Sequence, residues 1–374
     1  MPKKKILCVV GARPNFMKIA PIIRAMNNQQ TVLDPYLVHT GQHYGADMKT
    51  SFFDQLNIPE PDVDLNVGSA THAVQTAEIM KRFEPVLDQD DFHAVLVVGD
   101  VNSTIACGMV AVKKNIPLIH VEAGLRCYDK TMPEEINRVL TDQISDLLFT
   151  TERSAHDNLI KEGISDSAIH FVGNVMVDTL FANVERAIPY QQTLLNVPHK
   201  NASNIKEGEY SVLTLHRPAT VDHPVYLKQT LETIVQVSKR IPVIFPVHPR
   251  TAKQIESLGL NNLLSSGNVI SLPALGYLEI LGLMKSAKFV MTDSGGLQEE
   301  TTALGVPCLT LRPSTERPIT VSEGTNTIVD IDPDQILSGV DNILETGGKS
   351  GRVPEYWDGH AAERIITILD QWVK

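Results

Sequence analysis

The sequence predicts an α/β protein made of two doubly wound parallel-sheet domains. Three observations lead there. The chain has 374 residues, too many for one ordinary domain. Short apolar runs rich in β-branched residues alternate with amphipathic segments, the pattern of parallel strands covered by helices on both faces. The alternation pauses once near the middle and restarts with the same rhythm, so each half reads as a Rossmann-like domain.

In chain order, the first half offers strands at residues 6–10, 36–40, 94–99, 117–121, 147–151 and 169–172. Amphipathic segments such as 71–87 and 103–114 suit the helices between them. The pattern pauses over 173–189, and 191–209 is polar, so the interdomain connection is expected near there. Strands resume at 211–215, 243–247, 269–272, 289–292, 308–311 and 327–331. The tail, 361–373, has the spacing of an amphipathic helix. The expected domains are 1–175 and 176–357, facing each other across a cleft, with a final helix in 358–374.

Composition narrows the function. Apolar residues at 43% and charged residues at 21% describe a soluble globular chain. A net charge of −11 argues against broad nucleic-acid or anionic-membrane binding, so an anionic ligand needs a local basic pocket. The four cysteines, Cys8, Cys107, Cys127 and Cys308, form no C-x-x-C pair, which fits reduced thiols in a cytoplasmic protein and no zinc site. The basic start is followed by an apolar run too short for a signal peptide, and no run of about 18 apolar residues predicts a membrane span.

The chemistry lies in loops that follow strands, where parallel sheets place their ligands. GARPNFMK, residues 11–18, joins the first strand to a helix. Arg13 there can pair bidentately with phosphate oxygens, and Lys18 adds a point charge. The plainer reading is a solvated turn with two surface cations. The loop lacks G-x-G-x-x-G and G-x-x-x-x-G-K-[ST], which lowers the expectation of a nicotinamide, flavin or nucleotide-hydrolysing site. GDVNST, residues 99–104, ends a strand with Asp100, either a ligand-facing carboxylate or a turn residue.

HVEAGLRCYDKTMPEEINR, residues 120–138, is the densest stretch. Glu122 ends its strand as Asp100 ends another, so the two can approach. Glu134 also fits a capping box with Thr131 and a helical pair with Arg138. LTLHRP, residues 213–218, ends a strand with His216, placed to reach the carboxylates or to serve as a hydrogen-bonded structural residue; PVHPR, with His248 and Arg250, repeats the theme more weakly. TDSGGLQEE, residues 292–300, opens a helix with Ser294, Gly295 and Gly296, whose N–H groups and dipole suit a diphosphate. Glu299 and Glu300 follow one turn in, where a carboxylate can hold ribose hydroxyls. STERP, residues 314–318, offers Arg317 as a phosphate partner or a surface loop residue.

GARPNFMKIAP, GDVNST, HVEAGLR, MPEEINR, LTLHRP, TDSGGLQEE and TERP occur in that order. Together they resemble the non-hydrolysing UDP-N-acetylglucosamine 2-epimerases, over nearly the whole chain. The resemblance implies a fold like that of the GT-B glycosyltransferases, with the final helix crossing back to the first domain. It implies interconversion of UDP-N-acetylglucosamine and UDP-N-acetylmannosamine without metal or redox cofactor, often by a cytoplasmic homodimer serving surface polysaccharide synthesis. It makes Asp100, Glu122, Glu134 and His216 the catalytic groups. Arg13, Lys18, Arg138, Leu275, Ser294, Gly295, Gly296, Glu300 and Arg317 become the UDP-sugar-binding set.

The chemistry agrees with these residue types. Inverting C2 requires a proton to leave one face and another to arrive at the opposite face, hence two acid–base groups. The C2 hydrogen has no adjacent carbonyl to acidify it. Expelling UDP from C1 as C2 loses its proton gives 2-acetamidoglucal, to which UDP adds back. PATVD after Arg217 and the longer loop after Gln42 and His43 depart from many bacterial members, so allosteric control by a second UDP-N-acetylglucosamine is not expected. Ile280 stands where some members place a phenylalanine, leaving uracil to apolar contacts near Leu275. The rival readings are a GT-B glycosyltransferase, a hydrolysing epimerase releasing UDP and N-acetylmannosamine, an epimerase for a related UDP-2-acetamido sugar, and a silent sugar-nucleotide binder.

Overall fold

The computed structural model describes residues 3–27, 31–42, 53, 55–195, 197 and 202–374, with every side chain among them except those of Arg13 and Ser203. Two compact units divide the chain: residues 1–182 with 355–374, and residues 183–354.

The first unit is built on a parallel sheet of β1 (Lys4–Val10), β2 (Leu33–His39), β3 (Val63–Asp64), β4 (Ala94–Val98), β5 (Leu118–Ala123), β6 (Leu147–Thr150) and β7 (Ile169–Phe171). Their order is β3-β2-β1-β4-β5-β6-β7. β4 is buried at all five positions, which explains its unbroken apolar run: helices cover both faces, so alternation has no purpose. The order of strands reverses between β1 and β4, and parallel sheets place their ligands beyond the carboxyl ends at such a reversal. Val98 pairs with Val121 across β4 and β5, and the Gly99 N–H donates to the Val121 carbonyl at 3.0 Å. Residues 100 and 122 therefore leave neighbouring strands at the same level.

Two features differ from the sequence reading. β3 has only two residues, too few to show periodicity. Where the alternation was expected to pause, the helix Val175–Asn183 stands instead. Val175, Met176, Val177 and Leu180 are all buried, so the helix is apolar around most of its circumference and lacks the polar stripe that marks a surface helix.

The last residues are tied into the first unit by specific contacts. The helix Ala361–Trp372 packs on the helix Arg13–Met26. Asp178 accepts the Ala361 and Ala362 N–H groups at 3.1 and 2.7 Å, taking two of the four donors that a helix start leaves open. The Trp357 side chain is buried and its indole N–H reaches the Thr151 carbonyl at 3.1 Å. Asp370 accepts the Thr31 hydroxyl at 2.7 Å.

The second unit repeats the plan with β8 (Ser211–Thr214), β9 (Val243–Pro246), β10 (Val269–Leu272), β11 (Phe289–Thr292), β12 (Cys308–Thr310) and β13 (Asn326–Ile328), in the order β10-β9-β8-β11-β12-β13. Its reversal falls between β8 and β11. All four cysteines are free, and Cys8 and Cys308 are buried strand residues as expected. Among the described residues no helix is long and apolar enough to cross a membrane.

Asp178→Ala is expected to lower the unfolding free energy by about 1–2 kcal/mol, the usual cost of a lost helix cap. Urea titration measures this, and an unchanged midpoint would show that the Ala361–Trp372 helix needs no such anchor.

Candidate active site

In the first unit, the loops after β1, β4 and β5 meet beyond the sheet. Gly11 lies so close to Ser103 that a Cβ would fall 2.0 Å from its Oγ, so glycine is required for that contact. Ser103 in turn donates to Gln42 Oε1, at 3.0 Å from its N–H and 2.7 Å from its hydroxyl. Buried Asn15 clamps the β1 loop to β4, donating to the Val98 carbonyl at 2.6 Å.

Lys18 is buried and forms an ion pair with Glu122 Oε1 at 2.8 Å. Glu122 itself has φ +72°, a left-handed backbone rare for a residue with a side chain, at a point where the β5–β6 register shifts. Functional side chains are often aimed by such local strain. The shift turns the Glu122 carboxylate off the strand and into the buried space above Gly99, where the Lys18 ammonium also lies.

Arg138 and Glu134 rise from the helix Pro133–Ile144. Arg138 is buried and pairs with Asp100 and with Glu135. Glu135, and not Glu134, is the structural carboxylate of this helix: it accepts the Cys127 and Tyr128 N–H groups at 3.2 and 2.8 Å. Burial pushes the Glu135 carboxyl up, but those N–H groups and Arg138 outweigh it and hold the pKa below its ordinary value. The expected capping box does not form. Met132 is the N-cap, and the Thr131 hydroxyl bonds Asp129 instead. Among the described residues Glu134 has no hydrogen-bond or ion-pair partner, and it stands half-buried in the helix's first turn. The structural role considered for Glu134 thus passes to Glu135, leaving Glu134 available for chemistry.

In the second unit, the β8 and β11 ends are joined by a Thr214–Thr292 hydroxyl contact of 2.6 Å. Asp293 is fully buried beyond them. Its Oδ2 accepts the His216 and Arg217 N–H groups, each at 2.8 Å, and its Oδ1 lies 2.7 Å from His216 Nδ1. Burial pushes the Asp293 carboxyl up, but His216 and the two N–H groups hold it below its ordinary value. His216 therefore has its Nδ1 side fixed and its Nε2 side turned outward. Ser294 caps the helix Gly295–Leu304, whose first amides point out of its N-terminus as an anion site requires. Glu316 lies beneath: a Cβ on Gly295 would be 2.9 Å from its Oε1. Arg217 and Arg312 pair with Glu316 at 3.1 and 2.8 Å. Glu300 is buried against the Tyr277 hydroxyl, whose pKa rises well above its ordinary value through burial and the nearby carboxylate. Leu275 is half-buried just ahead of Tyr277, and Ile280 is buried.

A profile of the UDP-N-acetylglucosamine 2-epimerase family matches residues 24–370. The chain belongs to this family. It is 40% identical to the UDP-N-acetylglucosamine 2-epimerase of Methanococcus maripaludis over 98% of both chains. It is 39% identical to the UDP-2,3-diacetamido-2,3-dideoxy-D-glucuronate 2-epimerase of Pseudomonas aeruginosa, covering 98% of this chain and 99% of that one. Its fold superposes on the Methanocaldococcus jannaschii UDP-N-acetylglucosamine 2-epimerase, solved in complex with UDP-N-acetylglucosamine and UDP, with a TM-score of 0.89 at 39% identity, covering 98% of this chain and 99% of that one.

Several residues of this epimerase differ from their sequence reading. Lys18 is no surface cation; it compensates Glu122. Arg138 is committed to Asp100 and Glu135, so any contact with substrate has to share it. Arg317 is buried and not a surface-loop residue, with its Nε 2.8 Å from Glu299. His248 caps the helix Pro249–Ser257 and lies 5.8 Å from the His216 ring. In the departing PATVD segment, Asp222 forms a two-pronged pair with Arg250, at 3.0 and 2.9 Å. The Arg13 side chain and the loop 43–52 lie outside the described residues. Asn15, Asp293, Tyr277 and Glu316 were not singled out. Asp293, in the Thr-Asp-Ser-Gly-Gly run, had the clearest available signal: an acid placed directly before an anion-binding helix has to be satisfied internally.

Glu316 carries a pH prediction. Burial raises its pKa, but Arg312, Arg317 and Arg217 outweigh this and lower it from 4.5 to about 2. A depressed carboxylate stabilises the fold above its unfolded pKa and loses that contribution as pH falls toward the folded one. The acid limb of the melting temperature between pH 4.5 and 2 should therefore flatten in Glu316→Gln. Thermal scans across that range read it, and a limb as steep as in the parent would contradict the assignment.

Proposed function

We propose that the protein interconverts UDP-N-acetylglucosamine and UDP-N-acetylmannosamine by eliminating UDP to 2-acetamidoglucal and adding it back with inversion at C2. What supports this reading is that a chain of this family carries a carboxylate directly after β4, Asp100, one near the end of β5, Glu122, and one in the first turn of the helix that follows, Glu134. One carboxylate takes the C2 proton as the C1–oxygen bond breaks. The electron pair becomes the C1–C2 double bond, and UDP leaves with the negative charge. In the return step a UDP oxygen bonds C1 and a proton reaches C2 from the other face. The second unit supplies what the leaving group needs: the Gly295 helix start for the diphosphate, His216 Nε2 for its developing charge, and Glu300 for the ribose. Arg13, Arg138 and Arg317 complete the phosphate set, and Leu275 faces the uracil. The family resemblance brings with it a homodimer, a cytoplasmic location and a role in supplying surface polysaccharide precursors.

A second substrate is favoured by one observation. The Pseudomonas relative, named for a UDP-2,3-diacetamido uronic acid, is as similar as the archaeal ones. The elimination–addition route is the same for both sugars, because it touches only C1 and C2.

Proton NMR of UDP-N-acetylglucosamine with the protein in D₂O tests the reading. The expected result is UDP-N-acetylmannosamine carrying deuterium at C2, with little free UDP. Free UDP with free N-acetylmannosamine would indicate the hydrolysing reaction, and turnover of only the diacetamido uronate would move the substrate to the second reading. Asp100→Asn and Glu122→Gln should each cut turnover at least a hundredfold while UDP still binds in calorimetry. Near-normal turnover in both would remove these carboxylates from the mechanism.

A further inference from the structure

His120 and Asp142 are both fully buried, and the reaction as written uses neither. Their contacts run to every loop that carries a reacting carboxylate. His120 Nε2 lies 2.9 Å from the Gly99 carbonyl, the peptide oxygen immediately before Asp100. A carbonyl only accepts, so Nε2 carries hydrogen. His120 Nδ1 lies 2.6 Å from Asp142 Oδ1. Asp142 Oδ2 accepts the Gly124 N–H at 3.1 Å, closing the turn that follows Glu122, and pairs with Arg126 at 2.7 Å. Arg126 is fixed from behind by Glu162 at 2.8 and 2.6 Å.

The backbone at these points does not hold its own shape. Gly99, Glu122 and Gly124 have φ of +66°, +72° and +79°. Asp142 also stands on the same helix as Glu134 and Arg138, at spacings of four, so the three share one face. One buried pair thereby ties down the peptide before Asp100, the turn after Glu122 and the helix that delivers Glu134.

We infer that His120 and Asp142 are positioning residues for the epimerisation, a buried dyad that sets the mutual geometry of Asp100, Glu122 and Glu134 without touching substrate. The inference rests on the epimerase reading. It differs from a plain stability role, because the dyad's hydrogen bonds end on the backbone at the reacting carboxylates and not in the apolar core.

Amide replacements separate the two halves of the dyad. His120→Gln keeps a donor at the Nε2 position and hence the tether to Gly99. His120→Asn keeps a donor at the Nδ1 position and hence the link to Asp142, but loses Gly99. Expected is a kcat at least thirtyfold lower in His120→Asn with the UDP dissociation constant within threefold of the parent, and recovery to within about tenfold of the parent in His120→Gln. Asp142→Asn, which keeps an acceptor for Gly124 and a donor toward His120, should behave like His120→Gln. A kcat within threefold of the parent in His120→Asn overturns the inference. So does a loss of kcat matched by equal loss of UDP affinity and melting temperature, or a variant that does not fold while Asp142→Asn folds and is as inactive as His120→Asn. Parent protein that epimerises no UDP-sugar would defeat the functional reading itself, which the parent assay shows before any variant is compared.

Discussion

The Lys18–Glu122 ion pair is the contact on which the loops of the first unit depend. A carboxylate at the end of a buried strand has to be compensated, because removing one partner from a buried pair costs about 3–5 kcal/mol. Lys18 can reach Glu122 only by crossing Gly99, where a Cβ would sit 2.7 Å from its Nζ. The left-handed backbone of Gly99, φ +66°, is what favours glycine there, and the missing side chain leaves the room that the Lys18 ammonium takes. Charge pairing and glycine placement therefore meet at one point of the fold, directly before Asp100.

The second unit solves the converse problem. Arg217, Arg312 and Arg317 crowd near the start of the helix Gly295–Leu304, and cations held together without a counter-charge repel one another. Glu316 sits among Arg217, Arg312 and Arg317 and offsets part of that repulsion before any ligand arrives. Asp293 fixes the His216 ring and with it which ring nitrogen faces outward. Both acids thus hold their neighbours in place in advance, which leaves little ordering for a binding event to do.

The parts of this arrangement legible in the sequence are those that strand ends dictate. Apolar runs located twelve of the thirteen strands among the described residues, and Asp100, His216 and Ser294 occupy loops beyond the sheets as expected, while Glu122 lies one residue inside the end of β5. What failed was the assignment of partners. Glu134 matched a capping box and a helical pair by spacing, yet Arg138 turned to Asp100 and Glu135. Spacing along a helix ranks only the local acids, whereas Asp100 is brought in by the sheet. For Lys18 and Arg317 the sequence leaves a phosphate partner and a surface cation both open; it does not reveal the buried acids they pair with, Glu122 and Glu299. The Val175–Asn183 helix escaped because a helix apolar on most sides has no period to detect.

The helix Pro133–Ile144 shows how little freedom such a site leaves. Glu134, Arg138 and Asp142 lie on one face at increasing depth: a half-buried acid, a buried cation engaged with the neighbouring loop, and a fully buried anchor. Each residue of an α-helix turns it by about 100°. Inserting or deleting one residue between positions 134 and 142 would therefore swing the anchor away from His120 or the acid off the face it shares with Arg138 and Asp142. Since Asp142 is held from two directions, by His120 and by Arg126, the anchored end stays and the acid would be the part displaced. The order of residues along this helix is thus a consequence of the sheet beneath it: the depth of each contact fixes which position carries the charge.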